Sequence, residues 1–319
     1  MSIKEKLQLI VSGIKQNELQ AFISYAIIAL VILPFLPNIS YTLADLPGLT
    51  NILSAYGINL GQISHIEIVN PFTLWRVVVI ISGVEVFGYI LEKTIGQKKG
   101  LLLTSIAGGF ISSTSTTQSL ANQSKQSKNI NQLTGAAIFA NLSSFLQHFI
   151  LIASVNTLFL TKNTLYLFII SIISLIIGYY FFKSKSGSTI ELEKETQAIL
   201  KEEKIFSLKP ALQFALIFLL VKIISKSALS LFGEGAFLVT ILLASLTGMD
   251  AITINLSQLA GETITFQIAV FAFISANGVN LISKAVYAFL QGKQEFAVKF
   301  TIAMFIIIGF GFLGIIPLL

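Results

Sequence analysis

The sequence predicts an all-α polytopic membrane protein: about seven transmembrane helices and two re-entrant helical hairpins, arranged as an inverted repeat. Three observations predict it. The 319 residues are 54% hydrophobic and only 11% charged, whereas a soluble domain carries about 25% charged residues. Apolar segments long enough to cross a ~30 Å hydrocarbon core recur along the chain. The two halves resemble each other at a nearly constant offset of 136 positions. This composition excludes a typical cytosolic enzyme, a disordered chain and a nucleic-acid-binding domain. With no cysteine and two distant histidines, His65 and His148, disulfides, thiol chemistry and a His-rich metal cluster are excluded too.

Residues 1–18 place Ile3, Leu7, Ile10, Val11 and Ile14 at helical spacing among lysines, which reads as an interfacial amphipathic helix. Residues 19–70 hold a first span (19–38) and an outer loop of low charge. Repeat 1 occupies 71–183, with spans at 71–92, 131–156 and 163–183. A charged linker, 184–209, precedes repeat 2 at 210–319, with spans at 210–232, 264–290 and 296–318. Two segments, 100–125 and 236–261, are half apolar and half polar. The first holds Gly108-Gly109 and a run of Ser, Thr and Gln from Ser112; the second holds Thr247-Gly248-Met249-Asp250.

The repeat is carried by matched positions. Gly100–Thr104 matches Ala236–Thr240, Thr114 matches Asp250, and Thr117 matches Thr253. Ala140-Asn141 matches Ala276-Asn277, Ser144 matches Asn280, and His148 matches Lys284. Charge chooses the topology, since cytoplasmic loops are rich in Lys and Arg. If both odd segments turn back, sixteen of the 21 basic residues fall on one side. If both cross, the bias vanishes. The expected orientation in the cell inner membrane is N-terminus cytoplasmic and C-terminus outside. Three crossings per repeat make the repeats inverted, and the hairpin tips meet at mid-membrane.

Candidate site residues follow from this plan. Ser113, Thr114, Ser115, Asp250 and Thr253 lie at the tips, either capping the returning half-helices or lining a cavity. Thr114 or Ser115 is the expected cap in the first hairpin and Asp250 in the second. Asn141, Ser144 and His148 share a helical face, as do Asn277, Asn280 and Lys284. The asparagines serve either as interhelical glue or as solute contacts. Lys284 either works in the site or snorkels. Glu85 and Lys222 occupy nearly equivalent deep positions, either as a structural ion pair or as coupling groups. Phosphate-loop, zinc-protease and aspartyl-protease patterns are missing, so no enzyme and no cofactor is expected, and the sequence names no metal.

Leu33-Pro34-Phe35-Leu36-Pro37, Asn70-Pro71, Leu74-Trp75, Gly88-Tyr89 and the run Gly100 to Thr114 together resemble the membrane domain found C-terminal to MgtC/SapB domains. Gly248 to Ser257 resembles its second signature, and Asn277 with Lys284 its third. The likeness covers about residues 20–319. That family is a domain of unknown function, so the resemblance implies a membrane fold and no mechanism. It does not extend to the MgtC portion, and no magnesium role follows from it. Loop 39–70 is long for the family, Glu85 stands where a small or apolar residue is expected, and His148 where a basic residue, usually Arg, is expected.

The leading functional expectation is a secondary transporter or channel-like permease for a small ion or polar solute. The alternative is a non-transporting regulatory or assembly protein of the MgtC-associated family. Expected partners are the lipid bilayer, the solute, and a second copy or an MgtC-type protein; nucleic acid is not among them.

Overall fold

The computed structural model describes residues 16–45, 48, 55, 67–95, 100–183 and 208–314. Helix α1, Gln16–Ala26, continues through a π-helical stretch, Ile27–Ile32, to Leu33–Phe35. The Trp75 indole donates to the Ile28 carbonyl inside that wide turn at 2.9 Å. A short antiparallel pair, β1 (Tyr41–Thr42) with β2 (Glu67–Val69), stands where the sequence predicts only loop. The expected amphipathic helix at 1–18 and the linker at 184–209 fall almost wholly outside the described residues.

The remaining elements are α2 (Pro71–Ile95), α3 (Leu101–Ser124), α4 (Ile130–Val155), α5 (Thr157–Lys183), α6 (Leu208–Ser245), α7 (Asp250–Leu259), α8 (Phe266–Gln291) and α9 (Gln294–Gly311). Local chemistry sets their ends. Pro71 opens α2 at the position where its missing N–H costs nothing, and the Asn70 side chain accepts from Thr73 N at 3.0 Å. Asn156 accepts from Phe159 N at the start of α5. Its amide donates to the Ser257 and Ala260 carbonyls, tying down the end of α7. Thr265 caps α8.

Among the described residues six helices are long and apolar enough to cross a membrane: α2, α4, α5, α6, α8 and α9. The predicted first span contributes a shorter apolar stretch, Phe22–Phe35. Burial sorts the six. The α4 window is 78% buried and the α8 window 61%, against 22–39% for the others. Helices α4 and α8 are therefore the central pair, and the rest pack around them with apolar faces outward.

Two helices are broken. Helix α3 has an extended residue, Ser112 (φ −162°, ψ 102°), at its centre. Helix α6 breaks at Gly233, whose positive φ of 77° suits a residue without a side chain. A second turn, 246–249, then separates α6 from α7.

The boundaries of α4 and α8 keep the same offset. Both helices are 26 residues long, and Ile130 to Phe266 and Val155 to Gln291 are each shifted by the same 136 positions. Packing crosses between the halves: α3 lies against α8, and α7 lies against α4. The close approach of α3 to α4 depends on Gly109, where a Cβ would sit 2.7 Å from the Ala140 Cα.

Candidate functional site: two helix breaks facing α4 and α8

At the first break, the Ser112 hydroxyl accepts from Ser115 N at 3.2 Å, so Ser112 caps the half-helix that follows. The expected caps, Thr114 and Ser115, lie beyond it. Ser115 is exposed and bonds Ser112, and Thr114 is half-buried. Ser113 points inward. Its hydroxyl accepts from the Lys284 ammonium at 2.9 Å. The same ammonium donates to Asn141 Oδ1 at 2.9 Å. Asn141 passes the chain on, its amide reaching Thr117 Oγ1 at 3.2 Å and the Ala137 carbonyl at 2.8 Å. The Thr117 hydroxyl in turn donates to the Ser113 carbonyl at 2.7 Å.

Lys284 is only 2% exposed. Its buried amine is hydrogen-bonded to two neutral oxygens, as burial of a polar group requires. It bonds the first break rather than snorkelling to the surface.

The second break, the 246–249 turn between α6 and α7, repeats the pattern in a looser form. The Thr253 hydroxyl donates to the Met249 carbonyl at 2.7 Å, the same bond as Thr117 to Ser113, moved by 136 positions. His148 Nδ1 lies 3.4 Å from Thr253 Oγ1. The Asn280 amide donates to the Ser245 carbonyl at 2.9 Å. Asp250 is not a cap. Met249 holds that position without a side-chain bond, and Asp250, the first helical residue, accepts from Gln147 at 3.4 Å. A carboxylate there still faces the positive end of the α7 dipole. Asn277, the counterpart of Asn141, is buried on the face of α8 that also carries Asn280 and Lys284. Its Nδ2, and Nε2 of His148, have no partner among the described residues.

Each central helix therefore serves the other half. Lys284, on α8, holds the first break, and His148, at the matching position of α4, touches the second. Among the described residues no three His, Asp or Glu side chains gather as a metal site requires.

The expected Glu85–Lys222 pair is corrected. Lys222 bonds Glu67 at 2.9 Å, and Lys226 reaches the other oxygen of the same carboxylate at 3.4 Å. Burial pushes the Glu67 carboxyl up, but the Lys222 hydrogen bond and the two ammonium charges outweigh it and hold the group below the usual carboxylate range. Sequence reasoning also passed over Ser112, Thr117 and Gln147. Thr117 was findable, because it lies one helical turn after Ser113 on the same face.

These breaks, set between buried polar helices inside an apolar shell, define a multi-pass helical membrane protein. The chain belongs to the family described as Domain of unknown function (DUF4010), which matches residues 79–292. The matched stretch contains both breaks and both central helices. An uncharacterized protein of Aquifex aeolicus (strain VF5) is 26% identical over 213 residues, covering 65% of this chain and 90% of that relative. Neither match names an MgtC protein. No solved structure matches the chain.

Proposed function

We propose that the chain is a secondary transporter or channel-like permease for a small ion or polar solute, acting between two re-entrant hairpins of an inverted repeat. The observation that carries the reading is the exchanged contact: Lys284 on the first break and His148 on the second, 136 positions apart. Contacts at the ends of α3 support the hairpin geometry. Gly88 of α2 packs against Phe110, and α2 continues about 10 Å further to Ile95 at 1.5 Å per residue. Helix α3 starts at Leu101, six positions after the end of α2, so it begins well below its own tip. Ser124, the last residue of α3, accepts from Lys293 N at 2.8 Å at the start of α9. For the second hairpin, Ser245 meets the middle of α8, while Ser257 and Ala260 meet Asn156 at the far end of α4.

Irregular backbone at membrane depth persists only where protein buries it or a wet cavity receives it. Facing hairpin tips provide such a place, and broken helices of this kind carry the site in many transporters. The proposed orientation in the cytoplasmic membrane has the N-terminus inside and the C-terminus outside, and the reading assigns no catalysis. The test is flux into proteoliposomes across inorganic ions, amino acids and small organic anions. Solute-dependent uptake that falls at least tenfold in Asp250→Asn supports it. Uptake unchanged by Asp250→Asn and Thr117→Val places the path elsewhere.

A second reading, a regulatory or assembly protein acting with another copy or an MgtC-type partner, is favoured by one observation. Lys284, Ser113, Asn141 and Thr117 saturate one another. Absence of flux for every solute class would favour it.

A further inference from the structure

A separate cavity of about 290 Å³ opens at the end of the bundle where α2 begins and α4 ends. It approaches the ~300 Å³ lower end of small-molecule pockets. Its walls bring together Arg76, Lys222 and Lys226 with only two carboxylates, Glu67 and Glu262. One of those is already committed: Glu67 lies between both lysines, at 2.9 and 3.4 Å. Arg76 makes no ion pair among the described residues. One of its guanidinium nitrogens donates to the Ser154 carbonyl at 2.9 Å, near the negative end of α4. A guanidinium has five N–H donors in a fixed fork that suits a carboxylate or oxyanion. The lining thus carries one more positive charge than negative, and most of the Arg76 donors remain unused.

We propose that this cavity binds a small soluble oxyanion of the carboxylate, phosphate or sulfate class, with Arg76 and Lys226 as its ligands and Glu67 as an exchangeable internal counter-ion. The Glu67 carboxylate occupies the place on Lys226 that the ligand's oxygens take. Val77, Ile80 and Val155 line the same cavity. They pack with the apolar cluster containing Val84 and Ala251, the chain neighbours of Glu85 and Asp250. An anion held here is therefore separated from the hairpin tips by an apolar layer. If the chain transports as proposed above, this is the capture site, and the solute is anionic. The binding itself does not depend on transport.

The test is equilibrium dialysis of the purified full chain, delipidated and at low ionic strength, against labelled phosphate, sulfate and succinate. Saturable binding is expected, weakening with salt as electrostatic contacts do. Arg76→Gln and Lys226→Gln each weaken it at least tenfold. Glu67→Gln strengthens it severalfold, because the competing carboxylate is gone. A merely structural Glu67 staple predicts no gain from that substitution. Either variant that keeps its native elution and helicity is sufficient for the test. No saturable binding by any of the three anions, or binding by both basic-residue variants as tight as that of the unsubstituted chain, overturns the proposal. So does a response seen only with phosphatidylglycerol nanodiscs and not phosphatidylcholine ones, since the ligand would then be a lipid headgroup. Binding without flux leaves this site standing and removes the transport reading; flux of a cation without anion binding does the reverse.

Discussion

The two helix breaks are built from the same positions, yet one is tightly bonded and the other is not. At the first, a lysine makes two 2.9 Å bonds and an asparagine and a threonine close the ring. At the second, a histidine makes one contact at 3.4 Å, and buried nitrogens of His148 and Asn277 lack partners. The difference comes from two matched positions. Ser113 offers Lys284 a hydroxyl, whereas its counterpart Met249 offers His148 none. An ammonium has three donors and a flexible stem, whereas imidazole presents two fixed nitrogens. The first break is thus the anchored one and the second the freer one, which makes the second the better candidate to move.

The largest expected effect comes from breaking the anchor. Lys284→Met strands the Ser113 hydroxyl and the Asn141 carbonyl in a dry site, at about 1–3 kcal/mol for each group left unsatisfied. His148→Leu removes one long contact and an unpartnered nitrogen, and should cost less than about 1 kcal/mol. Thermal unfolding in nanodiscs, followed by the fluorescence of Trp75, compares the two. Equal losses would mean that the hairpins are anchored alike. Next in size is Gly109→Leu. The added side chain starts against the Ala140 backbone, and overpacking of this kind costs about 1–3 kcal/mol. The matching position, Ser245, already carries a side chain whose hydroxyl bonds Leu242 within its own helix. Ser245→Ala should therefore shift the unfolding midpoint much less, and a larger shift there would reverse the comparison.

How much of this was legible in the sequence depends on whether a feature is local. The long apolar helices and the 136-residue register of α4 and α8 follow from composition and periodicity, which need no knowledge of neighbours. That two segments are interrupted was legible too, from polar runs inside apolar stretches. The residue at the break was not. The run from Ser112 offers several equally good caps, and packing of Gly109 on Ala140 and Ser113 on Lys284 selects Ser112. The partner of Lys222 was hidden for a different reason. Glu67 lies in a segment with no helical or strand periodicity, and only its pairing with β1 brings it to α6. Glu85 looked closer because both residues occupy similar depths, but depth alone does not put two side chains on facing surfaces.

The finest comparison uses the paired asparagines, which share chemistry and position and differ only in their bonds. Asn141 serves Lys284, Thr117 and Ala137 at once. Asn277 leaves its amide nitrogen without a partner among the described residues. Interhelical hydrogen bonds in membranes average about 0.6 kcal/mol, so Asn141→Leu should cost roughly 2 kcal/mol when its bonds and the stranded lysine are counted together. Asn277→Leu should cost under about 0.6 kcal/mol, and the unfolding midpoint can rise, because it replaces a buried amide whose nitrogen has no partner among the described residues. If transport proceeds through the freer hairpin, the order reverses for function: Asn277→Leu depresses flux more than its stability change accounts for. Flux that merely tracks stability in both variants would mean that the unpaired amide has no part in handling the solute, and that the looseness of the second tip is a packing difference alone.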